Sequence, residues 1–207
     1  MSQFNAPRTT FGRGPTADAL PVPLLGKAAD HRVAMLRQAG EVLAVLPGPG
    51  ETLHAVMTGR YDLMHLISAL VGQLGTVERL TIATLSYNGR NLAEMIALLD
   101  SGAVKSLTLL CSAFFRDHNK ELWEETLTDF RERGQRAAAA RCHAKVVCLH
   151  TADGRKLSLE GSANLRTNSN REQFALTDDS AVHDWHAAWI GALVSAHEGD
   201  DEKESAG

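Results

Sequence analysis

The sequence contains no uninterrupted apolar run close to the roughly 18 residues that a membrane-spanning helix requires. The apolar patch near its start is interrupted by Pro21 and Pro23, and no basic segment precedes it, which argues against a secretory signal peptide. These absences predict a cytoplasmic protein that does not insert stably into a membrane.

Cysteine is also scarce, with three residues in 207. Because the number is odd and the spacing is not that of a disulfide framework, we expect reduced thiols, as in the cytoplasm. Four histidines are not spaced from cysteine or acidic residues as the ligands of a metal site would be: His31, His54, His65 and His118. We therefore expect no metal ion and no other cofactor.

Charge is distributed unevenly, although the formal net charge is only -4. The last ten residues account for all of it, so the rest of the chain is neutral. Within that neutral part, residues 131–171 carry nine basic and three acidic side chains, a net charge of +6. This segment fits either a solvated face or an anion-binding surface, and its excess of Arg over Lys favours the second.

The chain divides into three parts by composition. Residues 1–30 hold four of the six prolines and predict a flexible arm, and residues 198–207 predict an acidic, disordered tail. Residues 31–197 alternate strand and helix signals. Strands are predicted over 53–58, 79–87, 104–115, 137–151, 155–162 and 173–179, and helices over 61–75, from Asn91, over 117–134 and over 181–198.

This alternation predicts an α/β fold with a mixed, mostly parallel β-sheet and helices on both faces. The pair Asp153-Gly154 predicts a hairpin, which makes the later strands antiparallel. Ligands collect at the carboxyl ends of strands in such sheets. Ser86 and Tyr87 follow a predicted strand and are therefore candidate substrate-binding residues.

The segment CHAKVVCLHTADGRKLSLEGSAN (142–164) carries the chemical signal. Side chains alternate along a strand, so His143 and Lys145 are predicted to project from the same face. Together they can meet one phosphate, the imidazole as nucleophile or acid and the ammonium group as a charge clamp.

The second part of the segment supplies groups that stabilise an oxyanion. Gly161 and Ser162 allow a close approach of backbone and hydroxyl, and Asn164 can donate its amide to a non-bridging oxygen. Glu172 could hold the catalytic imidazole through its second nitrogen. Two further candidate substrate-binding residues lie in the basic segment nearby: Arg166 and Arg171.

These residues together resemble the phospholipase D superfamily, whose signature is HxK, a following Asp and then GSxN. The match consists of His143-x-Lys145, residues 161–164 and Glu172, with a similar upstream strand–helix–strand unit, and it spans roughly residues 50–196. The resemblance implies a phospholipase D-like domain and metal-independent phosphodiester chemistry through a phosphohistidine. A second HxK, at His118, lacks a following GSxN and is interpreted as surface.

Two positions depart from the signature. His150 stands where the Asp of the superfamily would fall, and it is predicted to face away from His143 and Lys145. The spacing to GSxN is longer by four residues, which the hairpin around Asp153 can absorb. These departures affect residues that support the motif more than the residues that would take part in the reaction.

The chain has a single copy of the motif, although in-line attack needs a nucleophile and an acid on opposite sides of phosphorus. Small single-motif members of the superfamily solve this by pairing two chains, so the resemblance implies a homodimer with His143 of each chain in one site. His183, His186 and His197 on the last predicted helix are expected at the surface or the interface.

Three functions fit these observations. The first is an endonuclease acting on nucleic acid, with DNA favoured over RNA but not distinguished from it by the sequence. The basic segment and the lack of a lipid anchor support this function. The second is a phospholipid-hydrolysing phospholipase D, for which an interfacial apolar surface is thinly supported. The third is a catalytically weak or inactive binding module, suggested by His150 and the longer spacing.

Overall fold

The computed structural model of the chain describes residues 28–57, 61–166 and 170–198. The predicted arm and tail therefore lie almost entirely outside the described residues. The elements follow one another in this order: α1 (Ala28–Val42), β1 (Thr52–Met57), α2 (Leu63–Leu74), β2 (Val77–Thr84), α3 (Gly89–Asp100), β3 (Leu107–Ser112), α4 (Ala113–His118), α5 (Lys120–Glu132), β4 (Arg136–Ala140), β5 (Val146–Thr151), β6 (Lys156–Gly161), β7 (Glu172–Asp178) and α6 (Ser180–His197).

Within the described residues, seven strands form one mixed sheet in the order β1-β7-β6-β5-β2-β3-β4. β2, β3 and β4 are parallel neighbours, and the other four neighbouring pairs are antiparallel. Five strands consequently point in one direction, although only two of the six pairs are parallel. The expected α/β class is confirmed, but the sheet is not mostly parallel in its pairing, because β5 and β7 run against their neighbours.

Helices cover both faces of the sheet, as predicted. On one face, Ile190 and Val194 of α6 pack against small or medium side chains of the sheet: Ala83, Leu110, Ala138, Ala140, Val146 and Cys148. On the other face, buried residues of α2, α3 and α5 form the larger core cluster with the opposite side chains of the strands. Each fully buried Leu, Ile or Phe contributes about 1.5–3 kcal/mol to this packing.

The predicted strand over 137–151 is wrong, because the structure divides it into β4 and β5 with a loop at residues 141–145. β4 lies at the sheet edge beside β3, whereas β5 lies beside β2 in the interior. The small side chains of β4 allow α6 to approach closely, so tertiary packing stabilises an alanine run that has little strand propensity of its own.

Helix starts also differ from the prediction in detail. Asn88, not Asn91, caps α3, and Asn91 completes a capping box as the third helical residue. The predicted helix over 117–134 is interrupted at Asn119, which separates α4 from α5. α1 is an additional element that the sequence patterns did not indicate.

Candidate active site

All parts of the HxK and GSxN segments lie at one edge of the sheet. The co-directional strands β2, β3, β4 and β6 end at this edge, and β5 and β7 begin there. Residues 141–145, residues 161–164 and Glu172 therefore converge, because they directly follow or precede those strand ends. This is the edge at which α/β sheets hold their ligands.

His143 and Lys145 lie in the loop between β4 and β5, not on a strand as predicted. Their side chains nevertheless meet, since Lys145 Nζ lies 2.7 Å from His143 Nδ1 and donates to the His143 carbonyl oxygen at 2.8 Å. His143 is exposed, whereas only 8% of Lys145 is exposed. The loop thus presents the imidazole to solvent and holds the ammonium group beneath it.

The contact between these two side chains fixes the tautomer of the imidazole. A lysine ammonium group can only donate, so Nδ1 of His143 is the acceptor in this contact. A neutral ring in this arrangement carries its hydrogen on Nε2.

The electrostatic surroundings of Lys145 favour binding of an anion. Burial lowers the pKa of Lys145, and the carboxylate of Glu172 opposes this shift. An ammonium group with so little contact with water interacts more strongly with a phosphate than one at the surface would.

Gly161 joins the two parts of the motif. Its backbone N–H donates to the Lys145 carbonyl oxygen at 3.2 Å. A Cβ atom at this position would lie 2.5 Å from the Gln173 carbonyl oxygen, closer than real Cβ contacts. Glycine is therefore required here by space, because β6 passes so close to β7.

Ser162 and Glu172 bind each other, with the Ser162 hydroxyl donating to Glu172 Oε2. The same hydroxyl oxygen accepts from Gln173 N at 3.1 Å, and Ser162 N donates to the Gln173 carbonyl oxygen at 3.1 Å. Glu172 was predicted to hold the imidazole of His143, but Nδ1 of that ring meets Lys145 instead. In this arrangement Glu172 fixes Ser162 and lies within electrostatic range of Lys145.

Asn164 lies beside Glu172, and its Oδ1 atom is buried with no hydrogen-bond partner among the described residues. Both residues line a small recess, which we call the Tyr61 recess. Its polar lining comprises Tyr61, Asp62, Asn164, Arg166, Asn170 and Glu172. The sequence patterns did not indicate Tyr61 or Asp62, although their position directly after the first strand, at the ligand-binding edge, was a usable signal.

The structure does not bring Tyr87 to the substrate side of this edge. Tyr87 is 2% exposed, its hydroxyl lies 2.6 Å from Thr126 Oγ1, and its ring packs on Phe115 with centroids 4.5 Å apart. Ser86 is 6% exposed, and its buried hydroxyl oxygen has no hydrogen-bond partner in the part of the chain that the structure describes. Both residues lie at the end of β2 as expected, but beneath the surface rather than on it.

The basic segment divides into paired and unpaired side chains. Four ion pairs hold its members to acids elsewhere: Arg133 with Asp100, Arg136 with Glu198, Arg155 with Asp178 and Lys156 with Asp184. Arg141, Arg166 and Arg171 are exposed at the candidate active-site edge, and the described residues offer them no ion pair. Within the basic segment, the exposed charges without an ion pair therefore lie at the same sheet edge as His143.

His150 lies at the opposite end of β5, where Arg79 Nη2 donates to its Nδ1 at 3.0 Å. Its replacement of the Asp of the superfamily signature therefore leaves the contacts of His143 untouched. The second HxK histidine, His118, is exposed as predicted and bonds to the Phe114 carbonyl oxygen.

The predicted surface positions of His183 and His186 are wrong. They are 4% and 5% exposed because α6 presents them to the sheet. His186 Nε2 lies 3.0 Å from Oε1 of Glu160, the residue before Gly161. The other ring nitrogen of His186, Nδ1, accepts from Trp189 Nε1 at 3.1 Å. α6 is thereby attached to the strand that carries the GSxN turn.

No three His, Cys, Asp or Glu side chains in the described ranges are grouped so as to hold a metal ion. None of the helices within those ranges combines the length and apolarity needed to cross a membrane.

No family profile and no curated protein matches the chain. Among solved structures, NucT from Helicobacter pylori is similar with a TM-score of 0.52 at 16% identity, over 71% of this chain and 98% of NucT. Polyphosphate kinase from Porphyromonas gingivalis gives a TM-score of 0.50 at 14% identity, over 71% of this chain but only 26% of the kinase. Nuc from Salmonella typhimurium, a phospholipase D family member, gives 0.48 at 12% identity, over 69% of this chain and 93% of Nuc. With the mixed seven-stranded sheet, the similarity to NucT identifies the architecture of the chain as a phospholipase D-like fold.

Proposed function

We propose that the chain is a metal-independent phosphodiesterase that hydrolyses nucleic acid through a phosphohistidine at His143. The observation that carries this proposal is the direct contact of Lys145 with an exposed His143, tied to the GSxN turn by Gly161. One edge of the sheet then holds a nucleophile, a positive group that binds the phosphate and a turn that binds the oxyanion.

The first step forms a bond between His143 Nε2 and phosphorus and breaks the bond from phosphorus to the leaving oxygen. The incoming phosphate attracts Lys145 away from Nδ1. Nδ1 then takes a proton from solvent and Nε2 releases its proton to solvent, so the ring stays neutral and the Nε2 lone pair is free to attack. Lys145 and the amide of Asn164 bind the non-bridging oxygens while charge develops on them. Water next attacks phosphorus, the P–N bond breaks, and His143 is restored.

The leaving oxygen needs a proton from the opposite side of phosphorus, and this chain has one motif. We propose that the partner subunit's His143 donates that proton and later accepts one from the attacking water. The active unit is then a homodimer with an isologous interface at this edge. The exposure of His143 supports this arrangement, because a ring buried within one subunit could not face a second one.

Nucleic acid is the proposed substrate because three exposed arginines of the basic segment lie at the same sheet edge as His143. Exposed Arg141, Arg166 and Arg171 can bind successive phosphates of a polyanion on both sides of the scissile bond. DNA is the first polymer to test, in keeping with the resemblance to small bacterial nucleases.

Cleavage of plasmid DNA in excess EDTA tests the proposed function. Wild-type protein is expected to nick and linearise the plasmid, and His143→Ala is expected to lose this activity. His118→Ala is the matched control, because it removes the other HxK histidine from an exposed position. Acid-labile labelling of the wild type, but not of His143→Ala, by a phosphorus-labelled substrate would identify the phosphohistidine. Cleavage that requires added magnesium would contradict the proposal.

A binding module without turnover is the second candidate function. The observation that favours it is the position of Glu172, which fixes Ser162 while His143 Nδ1 contacts Lys145. A protein of this kind would bind DNA in EDTA with salt-dependent affinity and leave it intact, and wild type and His143→Ala would behave alike.

A further inference from the structure

Phe114 is an exposed aromatic side chain to which the mechanism above gives no role. It is 65% exposed, whereas the adjacent Phe115 is 4% exposed and packs on Tyr87 with ring centroids 4.5 Å apart. Phe115 therefore anchors α4 to the core, and Phe114 does not take part in that packing. A single exposed apolar side chain is common in proteins, so the surroundings of Phe114 decide whether it has a function.

Phe114 lies at the same sheet edge as His143. β3 ends at Ser112, which pairs with Ala140 at the end of β4. Phe114 follows Ser112 by two positions, and His143 follows Ala140 by three. The reach of the backbone therefore limits the distance between the Cα atoms of Phe114 and His143 to about 23 Å. At about 3.4 Å for each stacked nucleotide, a single strand of about seven nucleotides covers this distance.

One face of the Phe114 ring is supported by the protein. The ring packs on the imidazole of His118, one helical turn later, with centroids 4.0 Å apart and planes inclined by 31°. His118 Nδ1 donates to the Phe114 carbonyl oxygen at 2.8 Å, which holds the imidazole in this position. The exposed part of the Phe114 ring is thus restrained before any ligand binds, so binding costs less conformational entropy.

Exposed arginines follow the strands on either side of β3. β3 lies between β2 and β4 in the sheet. Arg141 directly follows β4, and Arg90 lies in the first turn of α3, the helix after β2. Both side chains are exposed, and the described residues offer them no ion pair. The nearby carboxylate of Asp117 is paired with Arg116. This edge therefore combines an open aromatic ring with positive charge, which suits a polyanion that carries flat rings.

We propose that Phe114 stacks on an unpaired base of a single-stranded nucleic acid whose phosphates bind at the candidate active-site edge. Every base has an aromatic face, so this contact adds affinity for single strands without selecting a sequence. Bases inside a duplex are stacked on one another and are closed to the ring, so a duplex gains nothing from Phe114. This inference rests on the proposed function for the class of ligand.

The test measures binding in EDTA of a DNA oligonucleotide of about 12 nucleotides, as a single strand and as a duplex. The His143→Ala protein is the parent, because it is expected not to cleave the probe. Adding Phe114→Ala is expected to weaken single-strand binding about five- to a hundredfold, the effect of losing one stacked base, and to leave duplex binding unchanged. Phe114→Leu keeps an apolar side chain but no ring, and should lose most of the same affinity.

Trp185→Ala is the matched control for the loss of an exposed aromatic ring. Trp185 is 66% exposed and lies beside Asp184, whose partner Lys156 begins β6 at the opposite edge of the sheet. Adding this substitution should leave the affinity of the parent for both forms of DNA unchanged. All the variants are expected to keep the melting temperature of the parent, since the substituted side chains are exposed.

An abasic site at successive positions of the single strand locates the contact. In the parent protein, it is expected to weaken binding at one or two positions, those at which the base would stack on Phe114. In the Phe114→Ala variant, the same abasic sites should have no effect at any position. Wild-type cleavage of the same strand should place the sensitive position within about seven nucleotides of the scissile phosphate.

Three results would overturn the inference while leaving the proposed function intact. The first is an unchanged affinity of Phe114→Ala for the single strand, and the second is an equal loss of affinity for single strand and duplex. The third is dissociation of the dimer by Phe114→Ala in sedimentation, which would assign the ring to the subunit interface. Single-strand binding that depends on Phe114, in a wild-type protein that cleaves no DNA, would support the inference and contradict the proposed function.

Discussion

At the scale of single residues, Gly161 is the point at which the two parts of the motif depend on each other. It ends β6, bonds through its backbone to Lys145 and lies against Gln173 of β7. We expect Gly161→Ala to destabilise the fold by about 1–3 kcal/mol, as overpacking of a filled site does, and to displace Lys145. Chemical denaturation measures the effect. Gly72→Ala is the control, because nothing lies near its added Cβ and the helix should gain up to about 1 kcal/mol.

Lys145 should limit stability while it supports function. Because burial lowers its pKa, the folded chain holds this proton less tightly than the unfolded chain does. The resulting loss of folding stability is present at neutral pH and disappears as the pH rises towards 10.5, the ordinary pKa of lysine. Lys145→Met is therefore expected to be more stable than wild type at pH 7, with a difference that shrinks at alkaline pH.

The same substitution should lower turnover about 10²–10³-fold, because a preorganised positive group at the phosphate is lost. Urea denaturation at several pH values and a cleavage assay measure the two effects. The exposed Lys105→Met variant is the control and should change neither. A wild-type pH dependence of stability in Lys145→Met would contradict this account of the lysine.

At the scale of elements, the sequence patterns predicted most strands and helices but not the division between β4 and β5. Residues 137–151 contain no Gly or Pro, so the sequence shows no internal break in the predicted strand. The break arises because β4 pairs with β3 and β5 pairs with β2, two strands that are neighbours only in the folded sheet. Sequence alone cannot supply that pairing.

The same limit applies to the candidate site. The motif and the resemblance predicted a set of candidate residues that lie within one hairpin and its flanks: His143, Lys145, Ser162, Asn164 and Glu172. Contacts among them, and the approach of Tyr61 from another part of the chain, depend on the strand order. A side chain that reaches the site from a distant part of the chain forms no local sequence pattern with the motif.

α6 is the element that supports the motif loop from the second face of the sheet. Cys142 and Ala144, on either side of His143, pack against the cluster that contains fully buried Ile190. We expect Ile190→Ala to cost about 2–5 kcal/mol by opening a cavity and to lower turnover through a looser loop. Thermal and urea unfolding measure the first effect, and cleavage at a temperature well below the transition measures the second.

Trp185→Ala is the control for this helix, because Trp185 is 66% exposed and its removal should change stability by less than about 0.5 kcal/mol. Full activity in Ile190→Ala would show that α6 stabilises the fold without supporting the loop.

At the scale of the whole molecule, one motif per chain makes the proposed chemistry a property of an assembly. If each site needs two His143 rings, a dimer with one His143→Ala subunit has no complete pair of nucleophile and acid. Wild type and this variant are mixed in equal amounts, unfolded together and refolded. If the subunits pair at random, about a quarter of the dimers contain two wild-type chains. Activity per total protein should therefore fall to about a quarter. A fall to one half would mean that each chain acts alone, and the acid would then have to come from within the same subunit.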